Sequence, residues 1–144
     1  MKCREVMTRD PVCCAPDDSA SRIAKIMKTQ DVGSVPICES KRLLGIITDR
    51  DLALQIVAEG RDAASVKARD IMTKQPVSCR PDDDLETALS AMQRQQVRRI
   101  PVVDNNGQLV GIIAQADIAT RTKQPEKTAE VVEEVSRPST MRAG

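Results

Sequence analysis

Thr48 and Asp51 are the side chains in this sequence best placed to do chemistry. They lie in Gly45-Ile46-Ile47-Thr48-Asp49-Arg50-Asp51-Leu52. There an apolar run after a glycine predicts a buried strand, and a threonine followed three residues later by an acid predicts a helix start. Such a strand-to-helix corner gathers a hydroxyl, a carboxylate and partly positive backbone N–H groups at one spot, a set that suits a sugar phosphate. The plainer reading is a capping box that serves only stability.

The elements that must position this corner are written twice. Val6-Met7-Thr8-Arg9-Asp10-Pro11-Val12 returns as Ile71-Met72-Thr73-Lys74-Gln75-Pro76-Val77, an offset of 65 residues. The register persists through Pro16-Asp17-Asp18 and Pro81-Asp82-Asp83, Met27 and Met92, and Val35-Pro36-Ile37 and Ile100-Pro101-Val102. After a one-residue insertion, Gly45-Ile46-Ile47 matches Gly111-Ile112-Ile113, and Asp51-Leu52 matches Asp117-Ile118. A repeat held this long is internal duplication.

Each copy predicts strand, helix, strand, strand, helix. Pro11 to Cys14 reads as a short extended piece. Asp18 or Ser19 caps a helix with Ala20, Ile23, Ala24 and Met27 on one face, echoed by Leu85, Ala88, Leu89 and Met92. Gly33 is expected to end the first helical region. Strands over Val35–Cys38 and Leu43–Thr48 follow, joined by Glu39-Ser40-Lys41-Arg42, and then a helix to about Glu59. In the second copy Asp104-Asn105-Asn106-Gly107 is a strong turn signal, because Asn and Gly tolerate positive φ. The expected organisation is a first repeat over 1–60, a linker over 61–70, a second repeat over 71–122, a short helix over 123–135 and a disordered tail over 136–144.

Composition narrows the function. The 144 residues contain no Phe, Tyr or Trp, so the core is aliphatic and aromatic platforms for single-stranded nucleic acid are absent. Lys+Arg 22 against Asp+Glu 21 gives a net charge of +1, which favours neither a polyanion nor an acidic membrane surface. With no His, hydrolase triads and histidine-based zinc sites are excluded. Five cysteines without C-x-x-C spacing, and no signal-peptide pattern, predict free thiols in a reducing cytoplasm. Cys13 and Cys14 read as small buried apolar residues before they read as redox or soft-metal groups. No apolar run approaches the ~20 residues of a membrane span.

These repeated motifs carry a resemblance. Asp70-Ile71-Met72-Thr73 with its weaker counterpart Glu5-Val6-Met7-Thr8, the two Val/Ile-Pro-Ile/Val strands, and the two glycine-strand-helix corners ending in Asp51 and Asp117 resemble a tandem cystathionine-β-synthase (CBS) domain pair, the stand-alone Bateman module. The likeness runs from Val6 to about Thr122. It implies an α/β (α+β) fold of two β-α-β-β-α repeats packed with pseudo-two-fold symmetry, often as a disc-like homodimer. It further implies clefts that take adenine nucleotides (AMP, ADP or ATP, sometimes S-adenosylmethionine or NAD) without a required metal. The function implied is regulatory and non-catalytic, exerted on a separate, unidentified protein in the cytoplasm, with no nucleic-acid or membrane partner. The competing function is a protein-interaction scaffold with vestigial clefts.

Carried over residue by residue, the resemblance makes Thr48 and Asp51 the phosphate and ribose contacts, with Arg50 between them. The second corner keeps Asp117 but has Ala114 for the hydroxyl and Gln115-Ala116 for Asp49-Arg50, so it is weaker for phosphate. Arg98 and Arg99 stand where the first copy has Gly33-Ser34 and are suited to bidentate phosphate contact, or to a solvated strand edge; the cleft they would serve is open. Lys67, Arg69 and Lys74 are lesser phosphate candidates. Val12, Cys13, Pro36, Val77 and Pro101 are the implied adenine lining, although core packing explains them as well.

Overall fold

The computed structural model describes residues 1–121, with side chains through residue 118; the helix and tail expected over 123–144 lie outside the described residues. The elements in chain order are α1 (Cys3–Val6), β1 (Thr8–Arg9), α2 (Ala20–Gln30), β2 (Ser34–Glu39), β3 (Arg42–Thr48) and α3 (Asp49–Leu52), which a π-helical turn continues over Ala53–Val57. Then come α4 (Ala68–Ile71), β4 (Thr73–Lys74), α5 (Leu85–Gln95), β5 (Arg99–Val103), β6 (Leu109–Ala114) and α6 (Gln115–Arg121).

The two long helices form where the apolar spacing places them. Ser19 caps α2, its hydroxyl accepting from the Arg22 N–H at 3.1 Å. Each helix then ends on a left-handed residue, Asp31 at φ 54° and Gln96 at φ 52°, rather than at Gly33 as expected. Their inward faces are buried: Ala20, Ile23 and Met27 on α2, and Leu85, Ala88, Leu89 and Met92 on α5. A fully buried isoleucine such as Ile23 contributes about 2 kcal/mol of transfer free energy.

Two sheets of three antiparallel strands receive these helices, in the orders β1-β6-β5 and β2-β3-β4. The opening strand expected in each copy shrinks to a single parallel bridge, Cys14 to Ile37 and Cys79 to Val102. Both hairpins close as the sequence requires, but by different chemistry. Between β2 and β3, Ser40 and Lys41 both take positive φ, 51° and 66°. Between β5 and β6, the Asp104 carboxylate accepts from the Asn106 and Gln108 N–H groups, both at 2.9 Å, and Gly107 supplies φ 77°.

The chain divides into two compact units that do not coincide with its repeats. Among the described residues, one contains residues 12–76 and the other residues 1–11 with 77–121. The opening α1-β1 segment of the first repeat completes the sheet of the second, Thr8 lying opposite Ile112 and Arg9 opposite Gly111. Reciprocally, α4-β4 of the second repeat completes the sheet of the first, Gly45 lying opposite Lys74 and Ile46 opposite Thr73. The segment read as a linker takes part in this: Val66 and Ala68 are buried with Ile23, Ile37 and Ile47 in the core of the 12–76 unit.

The methionine of each Val/Ile-Met-Thr motif explains the glycine of each corner. A Cβ on Gly45 would lie 2.7 Å from Met72 Sδ and 2.7 Å from the Thr73 carbonyl oxygen. For one on Gly111 the three nearest atoms would all belong to the side chain of Met7, Sδ nearest at 2.5 Å. Glycine is thus required where the incoming segment crosses the strand before the corner.

Candidate functional site

In the 12–76 unit the corner is built as its sequence predicts. Thr48 leaves β3 in an extended conformation and starts α3, its Oγ1 accepting from the Asp51 N–H at 3.1 Å. Asp51 Oδ2 accepts from the Thr48 N–H at 2.8 Å, closing the capping box. Capping occupies only part of each group: the Thr48 hydroxyl proton remains to donate, and Asp51 Oδ1 remains to accept. Both side chains are half-buried, while Asp49 and Arg50 are exposed. The Asp49 N–H is tied to the Gly33 carbonyl at 2.9 Å, which fixes the corner against the start of β2.

Register adds a residue the sequence did not single out. Ser34 lies opposite Thr48, and Val35 lies opposite Ile47. Val35 and Ile47 are in the core, so by strand alternation the Ser34 and Thr48 side chains share the other face of the sheet. Ser34 is only 9% exposed, and its Oγ has no hydrogen-bond partner among the described residues. A buried hydroxyl in that state costs roughly 1–3 kcal/mol unless something binds it. The signal for it was the alignment of Ser34 with Arg99. Period-2 alternation was unreadable in Ser34-Val35-Pro36-Ile37-Cys38, since all five are buried.

The corner of the other unit keeps the cap and loses the hydroxyls. Asp117 Oδ2 accepts from the Ala114 N–H at 3.1 Å, and the Gln115 N–H donates to the Arg98 carbonyl at 3.2 Å. Arg99 lies opposite Ala114, where the first corner has Ser34 opposite Thr48. Arg99 is half-buried and Arg98 exposed. The arginine pair therefore stands at the corner of its own unit, beside Asp117.

The other expected residues divide between the units. Val12, Cys13 and Pro36 belong with Thr48 and Asp51. The Cys14 N–H donates to the Pro36 carbonyl at 3.0 Å and the Cys38 N–H to the Cys14 carbonyl at 2.8 Å, laying this extended piece along β2. Val12 and Cys13 are exposed and Pro36 is buried. Val77 and Pro101 belong with Asp117, and Val77 packs against that unit's core. Lys67 and Arg69 both pair with Asp17, Lys67 at 3.7 Å, so their charge is partly answered within the protein. Lys74 is exposed on β4.

Burial decides the state of the thiols. It pushes Cys14 up to about 11 and Cys38 up to about 12, the latter reinforced by nearby Cys13, so both stay protonated near neutral pH. Among the described residues no group of three or more His, Cys, Asp and Glu side chains can hold a metal ion, and no helix is long and apolar enough to cross a membrane.

A family model described as CBS domain matches residues 3–58 and again residues 68–122. The chain belongs to the CBS domain family. The two CBS matches follow the sequence repeats, whereas the compact units exchange their opening segments. Among relatives, the CBS domain-containing protein YhcV of Bacillus subtilis (strain 168) is 35% identical over 133 residues, 92% of this chain and 94% of the relative. Among solved structures, Hypoxic Response Protein I with two coordinated zinc ions superposes with a TM-score of 0.77 at 30% identity, covering 83% of this chain and 98% of that one. CBSX2 of Arabidopsis thaliana, in complex with AMP, gives a TM-score of 0.74 at 24% identity, covering 87% and 98%. The fold is that of a CBS pair, two repeats of mixed helix and strand.

Proposed function

We propose that this CBS pair is a non-catalytic regulatory module that binds an adenine nucleotide at the Ser34–Thr48–Asp51 corner and acts on a separate protein, in a cytoplasmic setting. The observation that carries this reading is the buried, unpartnered hydroxyl of Ser34 on the same face as Thr48. Thr48 and Ser34 can donate to phosphate oxygens or a ribose oxygen, and Asp51 Oδ1 can accept from a ribose hydroxyl while Oδ2 continues to cap the helix. Val12 and Pro36 supply apolar surface in the same unit, suited to a purine face. The AMP bound to CBSX2 supports the ligand class.

Titration calorimetry with AMP, ADP, ATP, NAD and S-adenosylmethionine tests the proposal. One of the adenine nucleotides should bind. Asp51→Asn, which retains an oxygen to cap Thr48, should weaken binding about tenfold, or about 1.4 kcal/mol, while Asp117→Asn changes it less than about twofold. Absence of heat with all five ligands would transfer the case to a scaffold function. Leu54 and Val57, 48% and 77% exposed on the turn after the corner, favour that second reading and the formation of a homodimer.

A further inference from the structure

We propose that Cys3 and Cys79 are a thiol modification site, closing to a reversible intramolecular disulfide by exchange with a small-molecule disulfide such as oxidised glutathione. Both residues are buried in one core cluster, at 0% and 4% exposure. Backbone contacts bring them together: the Cys3 N–H donates to the Asp83 carbonyl at 2.9 Å and the Arg4 N–H to the Pro81 carbonyl at 3.0 Å. Cys3 Sγ lies 3.9 Å from the Asp84 carbonyl oxygen. Helix α1 is therefore laid along the segment that follows Cys79, and the two thiols share one core cluster, where each perturbs the titration of the other.

The repeat shows that packing does not need the second sulfur. At the 65-residue offset, Cys3 corresponds to Ala68 and Cys79 to Cys14. In the 12–76 unit Ala68 and Cys14 are buried in the core without a second thiol. One unit thus places a pair of thiols where the other manages with a methyl group and a thiol.

The chemistry has a preferred direction. Cys3 lies on α1, the single turn that can open to solvent, whereas Cys79 lies in the piece bridged to Val102 of β5, so Cys3 is the attacking group. Its thiolate attacks one sulfur of the glutathione disulfide and expels glutathione as thiolate, leaving a mixed disulfide on Cys3. Cys79 then gives its proton to solvent base and attacks the Cys3 sulfur, expelling the second glutathione. Two protein thiols lose two electrons, and one glutathione disulfide becomes two glutathione thiols.

Access to Cys3 requires α1 to open. It is a single turn that buries Val6 beside Cys3, while Lys2, Arg4 and Glu5 are exposed and its polar side-chain ties include two surface ion pairs, Lys2 with Asp84 at 3.0 Å and Arg4 with Asp82 at 2.6 Å, of the kind that contributes little. Once formed, the disulfide fastens α1 to the extended piece bridged to Val102 of β5, next to β6, which β1 pairs with and which ends at the Ala114–Asp117 corner.

The test is to incubate the full chain with oxidised glutathione, alkylate it, digest it without reductant and map the peptides by mass spectrometry. The expected result is a Cys3 peptide joined to a Cys79 peptide, loss of two of the five free thiols, and recovery of both with dithiothreitol. The oxidised chain should also unfold at a higher denaturant concentration. Cys3→Ala, which copies Ala68, should abolish the cross-link and the gain in resistance. Separate alkylation of Cys3 and Cys79 while exposed Cys13 takes up glutathione would overturn the proposal, as would a cross-link to any other cysteine. If Cys3→Ala fails to fold, the wild-type peptide map alone decides.

Discussion

The corners at Thr48 and Ala114 descend from one sequence and keep one architecture, yet they differ in what they leave unused. Each ends an antiparallel strand after a glycine and starts a helix whose third residue caps the strand's last N–H, through Asp51 at 2.8 Å and Asp117 at 3.1 Å. The 12–76 corner adds the Thr48 hydroxyl and an unpartnered Ser34 hydroxyl, where its twin has Ala114 and Arg99. The aspartate cap is common to both corners, and in one of them the Thr48 hydroxyl adds a second cap bond, accepting from the Asp51 N–H at 3.1 Å. The Ser34 hydroxyl and the Arg99 side chain take no part in either cap, and polar groups left over in defined positions are where binding should be sought.

The largest expected difference lies beneath the corners. Gly45→Ala drives its Cβ into the backbone carbonyl of Thr73 as well as Met72, whereas the atoms nearest to the new Cβ of Gly111→Ala all belong to the flexible Met7 side chain. In denaturant unfolding the first should cost about 3 kcal/mol and the second about 1 kcal/mol. Equal costs would mean that β4 yields as easily as a side chain. Next in size, Thr48→Ala, which copies Ala114, should lower stability by about 1 kcal/mol, and Ala114→Thr should return about half of that. No change in either would remove the hydroxyl from the cap.

Ser34→Ala should separate binding from folding. Deleting an unpartnered buried hydroxyl should leave stability unchanged or raise it by up to about 1 kcal/mol. Nucleotide affinity should meanwhile fall roughly fivefold, or about 1 kcal/mol; a clear loss of stability would show that Ser34 already has a partner. The smallest effect is alkaline. Burial raises Cys14 from 9.0 to about 11 and Cys38 from 9.0 to about 12, so the folded state favours their neutral forms. That contribution is complete below about pH 9 and is lost as the pH climbs through the folded values. The denaturant concentration at which the chain unfolds should therefore fall as the pH rises above about 9, a fall that Cys14→Ala diminishes.

The sequence made the duplication, both long helices and the capping boxes legible because these depend on residues close together in the chain. What escaped it depends on partners far away. A 65-residue offset shows that two segments are alike but not which of two equivalent strands each will join, so the crossing of α1-β1 and α4-β4 was hidden. Residues 61–70 looked like a linker because they are small and polar, yet Val66 and Ala68 complete a core most of whose other buried members, from Cys14 to Ile56, lie far earlier in the chain. The turn at Asp104–Gly107 announced itself through Asn and Gly, whereas Ser40 and Lys41 reach positive φ only because the paired strands oblige them to.

That crossing of segments also sets a timetable. During synthesis, residues 12–76 can complete their sheet once β4 has emerged, while Thr8 must wait for Ile112 to be made. One unit can therefore close early from consecutive chain, and the other closes last by reclaiming a strand held open since the beginning. Non-local pairing of this kind slows folding, so the second closure should be the slow phase of refolding. A chain stopped before β6 would carry a finished first unit and an orphaned edge.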